Sequence, residues 1–213
     1  MKLLIEKRNY ILLILIIILI FWIFSIKKNQ PFIKSFDLND KEITIIIYEK
    51  IDEDKIIKEI KSICTKYEDK TISYKKDNEL SEINKEINFS NSYAVLDIIK
   101  YFKIIGINKY SINENGNISV GKRYRDKKYI GGILKKSNYT LLKTLNLENE
   151  SMITVGEDDL VTVICKDNVD GYALANYLYN IDFQKVKEEN NFRCLVYYNK
   201  DGNVYESKEL KNK

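Results

Sequence analysis

The spacing of apolar positions changes several times along the chain, and each change marks a different kind of element. Residues 10–26 read YILLILIIILIFWIFSI, apolar on every face and without one charge. At about 1.5 Å per helical residue this run spans roughly 26 Å, near the bilayer hydrocarbon thickness of about 30 Å, so it predicts a membrane helix. Residues 42–48 (EITIIIY) are continuous and β-branched, which predicts a buried or half-buried strand. Asp52 is then placed to cap a helix through about residue 67, with Ile56, Ile60, Ile63, Cys64 and Tyr67 on one face. Ser90 or Ser92 is placed to cap a second helix whose Val95, Ile98, Ile99 and Phe102 face inward, and Gly106 is suited to end it in a left-handed conformation.

Short strands follow. Residues 107–112 and 118–120 flank Asn115-Gly116, a two-residue hairpin signal, and 129–134, 139–147 and 160–165 continue the pattern. A third helix is predicted from residue 169 to about 179, before a last hairpin of 194–198 and 204–207 turned at Asp201-Gly202. Hairpins dominate, so the expected class is α+β: an N-terminal transmembrane helix, then one domain with a largely antiparallel sheet and about three helices. The expected division is an anchor over 1–28, a tether over 29–40 with the only proline, Pro31, and a soluble domain over 41–213.

The flanks of the apolar run sharpen the membrane reading. Lys7 and Arg8 precede it, Trp22 stands near its outer end and Lys27-Lys28 closes it, the distribution of interfacial anchors. No small-residue cleavage site and no cysteine follow it, so the expectation is an uncleaved single-pass anchor in the cell membrane with the domain outside the cytoplasm.

Composition narrows the chemistry. The 213 residues include no histidine, which excludes Ser-His-Asp and Cys-His machinery and histidine metal ligands. Cys64, Cys165 and Cys194 are odd in number and lack a C-x-x-C pair, so neither a cysteine zinc site nor a disulfide framework is expected. The net charge of +4 comes from the N-terminal segment, because residues 29–213 hold 30 basic and 30 acidic side chains. A neutral, interspersed surface supplies no counterion release, so no nucleic-acid partner is expected.

The order of the pieces resembles the ApbE family, the FAD:protein FMN transferases. Ser73-Tyr74 with Asn78-Glu79-Leu80-Ser81-Glu82-Ile83-Asn84 is similar to that family's S-x-y-x-x-x-S-E-L-x-x-L-N segment. The run from Ile87 to Asp97 resembles its K-G-Y-A-x-D helix start, and Gly106-Ile107 through Asn115-Gly116-Asn117-Ile118 its G-G-N-I element. Tyr129-Ile130-Gly131-Gly132-Ile133 is similar to its w-x-V-G-I strand. Residues 160–178, with Ala173-Leu174-Ala175, resemble its S-V-T-V strand and A-D-A-L-A-T-A-L helix. The resemblance implies cleavage of FAD, magnesium on the pyrophosphate, and attachment of FMN to a Thr or Ser of a partner protein.

Departures from that pattern fall on the site. The metal-holding Asp and Thr of D-A-L-A-T correspond to Tyr172 and Asn176, and a phenol is a poor magnesium ligand beside a carboxylate. Asp170 is the nearby substitute, but two residues earlier is about 200° around a helix, and capping the helix is its simpler role. The phosphate-facing Lys-Gly corresponds to Asn91-Ser92, and of the double glycine only Gly116 remains, after Asn115. A long insertion is missing between Asn84 and Ile87, and a His-containing loop is missing at 154–159.

The resulting expectation is an ApbE-like domain that has lost transfer and binds flavin, a flavoprotein or another envelope component. Its candidate cofactor-binding residues are Asn91, Ser92, Asn115, Gly116 and Tyr172, its candidate metal residues Asp170 and Asn176, and no catalytic residue is assigned. FAD and magnesium are implied by the resemblance alone. The alternatives are an active minimal FMN transferase using Asp170, Asn176 and Asp158 or Asp159, and an anchored envelope protein with no flavin.

Overall fold

The computed structural model describes residues 14–19, 30–74, 82, 87–122, 127–189, 192 and 194–211. Residues 14–19 are helical and exposed, and the rest of the expected 10–26 membrane helix lies outside the described residues. No helix among the described residues is long and apolar enough to cross a membrane.

Among the described residues after 30 are ten strands and five helices: β1 (Phe32–Leu38), β2 (Lys41–Ile47), α1 (Glu53–Tyr67), α2 (Ser90–Ile104), β3 (Tyr110–Glu114), β4 (Asn117–Val120), β5 (Tyr129–Leu134), β6 (Leu141–Leu147), β7 (Glu150–Gly156), β8 (Leu160–Cys165), α3 (Asn168–Asn180), α4 (Phe183–Glu188), β9 (Leu195–Lys200), β10 (Asn203–Glu206) and α5 (Lys208–Lys211). Eight strands form one sheet in the order β1-β2-β3-β4-β7-β8-β9-β10, and β5-β6 is a separate ribbon. Every pairing is antiparallel, as the hairpin signals predict.

Alternation along the strands sorts the core into layers. Ile43, Ile45, Ile47 and Ile112 meet Ile56, Ile60, Ile98 and Phe102 of α1 and α2 in one cluster. On β7 and β8, Ile153, Val161 and Val163 pack with Leu174 and Leu178 of α3, while Met152, Leu160 and Ile164 pack with Ile133, Leu145 and Leu147 of the ribbon. The ribbon therefore covers the sheet face opposite α3. Gly131 permits this: a Cβ there would lie 2.8 Å from Leu147 Cδ1 and 3.0 Å from Met152 Sδ. Each fully buried aliphatic side chain contributes about 1.5–3 kcal/mol, so these stripes carry the fold.

Local signals hold at the turns and the first helix. Asp52 caps α1 by accepting from the Lys55 N–H, and Gly106 leaves α2 at φ 80°. Asn115 and Gly116 turn the β3–β4 hairpin at φ 49° and 93°, and Asp201 and Gly202 turn β9–β10 at 52° and 74°.

Four expectations are corrected. The stretch expected as a tether over 29–40 contains β1, whose hairpin with β2 turns at Asn39-Asp40 with both φ positive, 50° and 58°. β7 was not expected, although it pairs with both β4 and β8. The short helices α4 and α5 add to the three longer ones. Neither Ser90 nor Ser92 caps α2: Phe89 holds the cap position without a side-chain bond, and Asn88 Oδ1 takes the Ser90 N–H at 3.0 Å. Cys165 and Cys194, whose redox state the sequence leaves open, form a disulfide across 29 residues with Cα atoms 4.9 Å apart, and Cys64 is free and buried.

Candidate functional site

Three elements converge where the β1–β2 turn, the start of α2 and the end of β3 meet α3. They enclose a cavity of about 260 Å³ lined by Asn39, Lys41, Asn88, Ser90, Asn91, Ser92, Glu114 and Tyr172. Asn39 is held there by its left-handed turn conformation, which an Asn side chain tolerates better than most. Glu114 arrives because Tyr110, Ile112 and Glu114 share the inward phase of β3, and the carboxylate is carried in with the apolar residues.

A buried carboxylate needs partners, and Glu114 has three. Asn91 Nδ2 donates to its Oε1 at 3.0 Å, Asn117 Nδ2 to its Oε2 at 3.2 Å, and Lys41 Nζ stands 3.4 Å from Oε1. The chain of bonds continues away from the carboxylate. Asn39 Nδ2 donates to Asn91 Oδ1 at 2.8 Å and Ser90 Oγ at 3.0 Å, and Asn39 Oδ1 accepts the Asp69 N–H at 2.9 Å. Asn91 thus spends both halves of its amide inside the protein. Among the described residues the cavity wall carries one cation and one anion, already paired.

The aromatic side of the cavity is equally committed. Tyr172 meets Phe89 edge-on at 5.1 Å between ring centroids, and Phe89 lies 5.4 Å from Tyr74. Tyr74 donates its hydroxyl to Asp170 Oδ1 at 3.1 Å. The buried Asn168, first residue of α3, donates Nδ2 to the Ser92 carbonyl at 2.8 Å and so fixes α3 against the start of α2.

This architecture has solved counterparts. It matches the flavin transferase ApbE of Vibrio cholerae with a TM-score of 0.68 at 13% identity, over 86% of this chain and 99% of that one. It matches the flavinyl transferase ApbE of Pseudomonas stutzeri at 0.63 and 10% identity over 86% and 98%, and the ApbE protein of Thermotoga maritima at 0.64 and 10% over 86% and 99%. The chain has the ApbE fold. No family model and no curated protein matches its sequence.

On the ApbE fold, three of the candidate residues come together and four do not. Asn91, Ser92 and Tyr172 line the cavity. Asn115 and Gly116 lie just beyond Glu114 at the exposed hairpin tip, where the Gly116 N–H is taken by Asn113 Oδ1 at 2.8 Å. Asn176 folds its amide back, donating Nδ2 to the Tyr172 carbonyl at 2.8 Å. Asp170 is neither the cap of α3 nor on an unwound turn. Asp167 caps that helix through the N–H groups of Val169 and Asp170, and Asp170 sits in its first regular turn.

These residues do not fit a magnesium ion. Magnesium asks for oxygen donors in near-octahedral array, usually with one or two carboxylates. The one carboxylate on the cavity is paired to Lys41, and no cluster of three or more His, Cys, Asp or Glu suited to a metal occurs among the described residues.

Sequence reasoning missed Asn39, Lys41, Asn88, Ser90 and Glu114. The available signals were the Asn39-Asp40 pair between two strand-like runs and a glutamate at an inward strand position.

Proposed function

We propose that this protein is an ApbE-type domain that has kept the fold, no longer transfers FMN, and uses its cavity to bind flavin or a partner protein. The observation that carries this reading is the bonding of Asn91, which with Ser92 stands where the resemblance puts a phosphate-facing Lys-Gly, to the Glu114 carboxylate paired with Lys41. A pyrophosphate entering there meets a carboxylate instead of a free cation, and like charge at short range opposes binding. The cavity volume of about 260 Å³ is near the lower end of small-molecule sites, about 300–1,000 Å³, which favours part of a ligand, such as a single ring system, over a whole dinucleotide.

The same reading places the domain outside the cytoplasm on an N-terminal anchor. It is supported by the uncharged run over 10–26 and by the Cys165–Cys194 disulfide, since such bonds persist in oxidising compartments.

The test is turnover by the purified full chain with FAD, magnesium and an acceptor protein carrying Thr and Ser. Flavin fluorescence responding to riboflavin or FMN without AMP release is the expected result. Release of AMP together with covalent flavin on the acceptor would establish the active minimal transferase instead. No flavin response of any kind leaves the cavity to a protein partner, sought by crosslinking in membranes.

A further inference from the structure

Charge over residues 29–213 is balanced overall but not evenly placed. Between residues 121 and 147 stand eight Lys or Arg and a single acidic residue, Asp126. This is the segment that contains the β5–β6 ribbon. Its inner face is buried on the sheet through Ile133, Leu145 and Leu147, and its outer face exposes aliphatic side chains alongside Thr144 and Asn146. Ile130 is 76% exposed, Leu141 53% and Tyr139, in the connecting loop, 80%. Lys127 and Lys128, just before β5, are exposed at the Ile130 end, and Lys136 is exposed at the loop end with Tyr139 and Leu141.

Exposed aliphatic and tyrosine side chains framed by lysines fit the boundary of an anionic bilayer: apolar groups enter the acyl edge and ammonium groups stay with the headgroups. We infer that the outer face of the β5–β6 ribbon docks on an anionic membrane surface, with Ile130, Leu141 and Tyr139 entering the interface and Lys127 and Lys128 pairing with lipid phosphates. Nucleic acid would use the lysines but gains nothing from exposed Ile130 and Leu141. The chain also keeps the domain near a bilayer if residues 10–26 span it. Only five residues, 27–31, then precede β1, a reach of at most about 18 Å.

The two ends of the ribbon are not equivalent. At the loop end the Lys136 N–H bonds to the Glu157 carbonyl at 3.2 Å and the Ser137 N–H to Asp158 Oδ1 at 3.3 Å. The loop end is thereby seated against residues 157–159, a turn that carries Glu157, Asp158 and Asp159.

Hydrogen exchange of the full chain in lipid nanodiscs tests this. In discs rich in phosphatidylglycerol, amides of residues 129–147 exchange about tenfold more slowly than in phosphatidylcholine discs. Lys127→Glu with Lys128→Glu, or Ile130→Ser with Leu141→Ser, abolishes the difference, whereas Lys135→Glu with Lys136→Glu reduces it less. Equal exchange in both lipids overturns the inference, as does protection that grows with protein concentration irrespective of lipid, the mark of a second copy. Protection by RNA and not by anionic lipid also overturns it. Quenching of Trp22 by spin-labelled lipid reports the anchor separately, so a failed anchor and a failed ribbon are told apart.

Discussion

Asn91 and Glu114, 23 residues apart in sequence, share a 3.0 Å hydrogen bond that joins the start of α2 to the end of β3 beside the cavity. The bond has two consequences: it satisfies a buried carboxylate, and it withdraws Asn91 from any ligand. Replacing Glu114 with Ala leaves Lys41, Asn91 and Asn117 without their shared acceptor, so urea unfolding is expected to show a loss of about 1.5–3 kcal/mol. Glu114→Gln keeps an acceptor and costs less. If the carboxylate is what repels phosphates, Glu114→Gln combined with Asn91→Lys raises the affinity for ADP in calorimetry, and an unchanged affinity would sink that account.

Tyr172 and Asn176 are the second place where side chains are committed to the protein itself. Tyr172 rests on Phe89 and Asn176 on the Tyr172 carbonyl. Changing them together to Asp and Thr places a carboxylate and a hydroxyl at i and i+4, on one helix face. The parent chain is expected to show no magnesium-dependent rise in Tm, and the double variant to gain one while starting from a lower Tm. A magnesium shift in the parent would contradict the present assignment of these residues.

The Cys165–Cys194 bond ties the end of β8 to the segment entering β9. Closing a loop of this size removes chain entropy from the unfolded state worth about 3–4 kcal/mol. Cys165→Ser with Cys194→Ser should lower stability by up to that amount in denaturant titration. Alkylation followed by mass spectrometry should find one reactive thiol, and only after unfolding: Cys64, whose pKa burial pushes up to about 11, with the neighbouring Glu68 adding to the rise.

Asp97 on α2 gives the chain an acid-sensitive link. Burial opposes its ionisation, but the Lys66 ammonium at 2.8 Å, the Tyr67 hydroxyl at 2.7 Å and Lys100 outweigh that and hold its carboxyl below the ordinary range. A carboxyl whose folded pKa is depressed stabilises the fold fully above its unfolded value, about 3.9, and the contribution disappears as pH falls through the folded pKa. Asp97→Asn is therefore expected to be less stable than the parent at pH 6 and to lose less between pH 5 and pH 2. Parallel stability curves for the two proteins would rule out this role.

Much of the fold is legible in the chain because its signals are local. The β-branched run of β2, the Asp52 cap, Gly106 and the two turns ending in glycine each act through neighbours within a few residues. The cavity is legible only in part, since its wall is assembled from residues up to 133 positions apart, Asn39 to Tyr172. Asn91, Ser92 and Tyr172 were found through motif correspondence. Glu114 was passed over because the expected strand ends at residue 112 and leaves it beside the turn, whereas β3 runs on to Glu114. The disulfide left no spacing signal, because the two cysteines meet only once β8 and β9 are paired.

The main sheet is continuous, yet its two halves touch along a short line. β4 and β7 pair through Ile118–Met152, Ser119–Ser151 and Val120–Glu150, reinforced by a 2.7 Å bond between the Ser119 and Ser151 hydroxyls. On one side lie β1–β4 with α1 and α2, on the other β7–β10 with α3, each connected mainly by hairpins and near neighbours. The N-terminal half can therefore complete most of its pairings while the rest is still emerging from the ribosome, and the seam closes only after β7 has emerged.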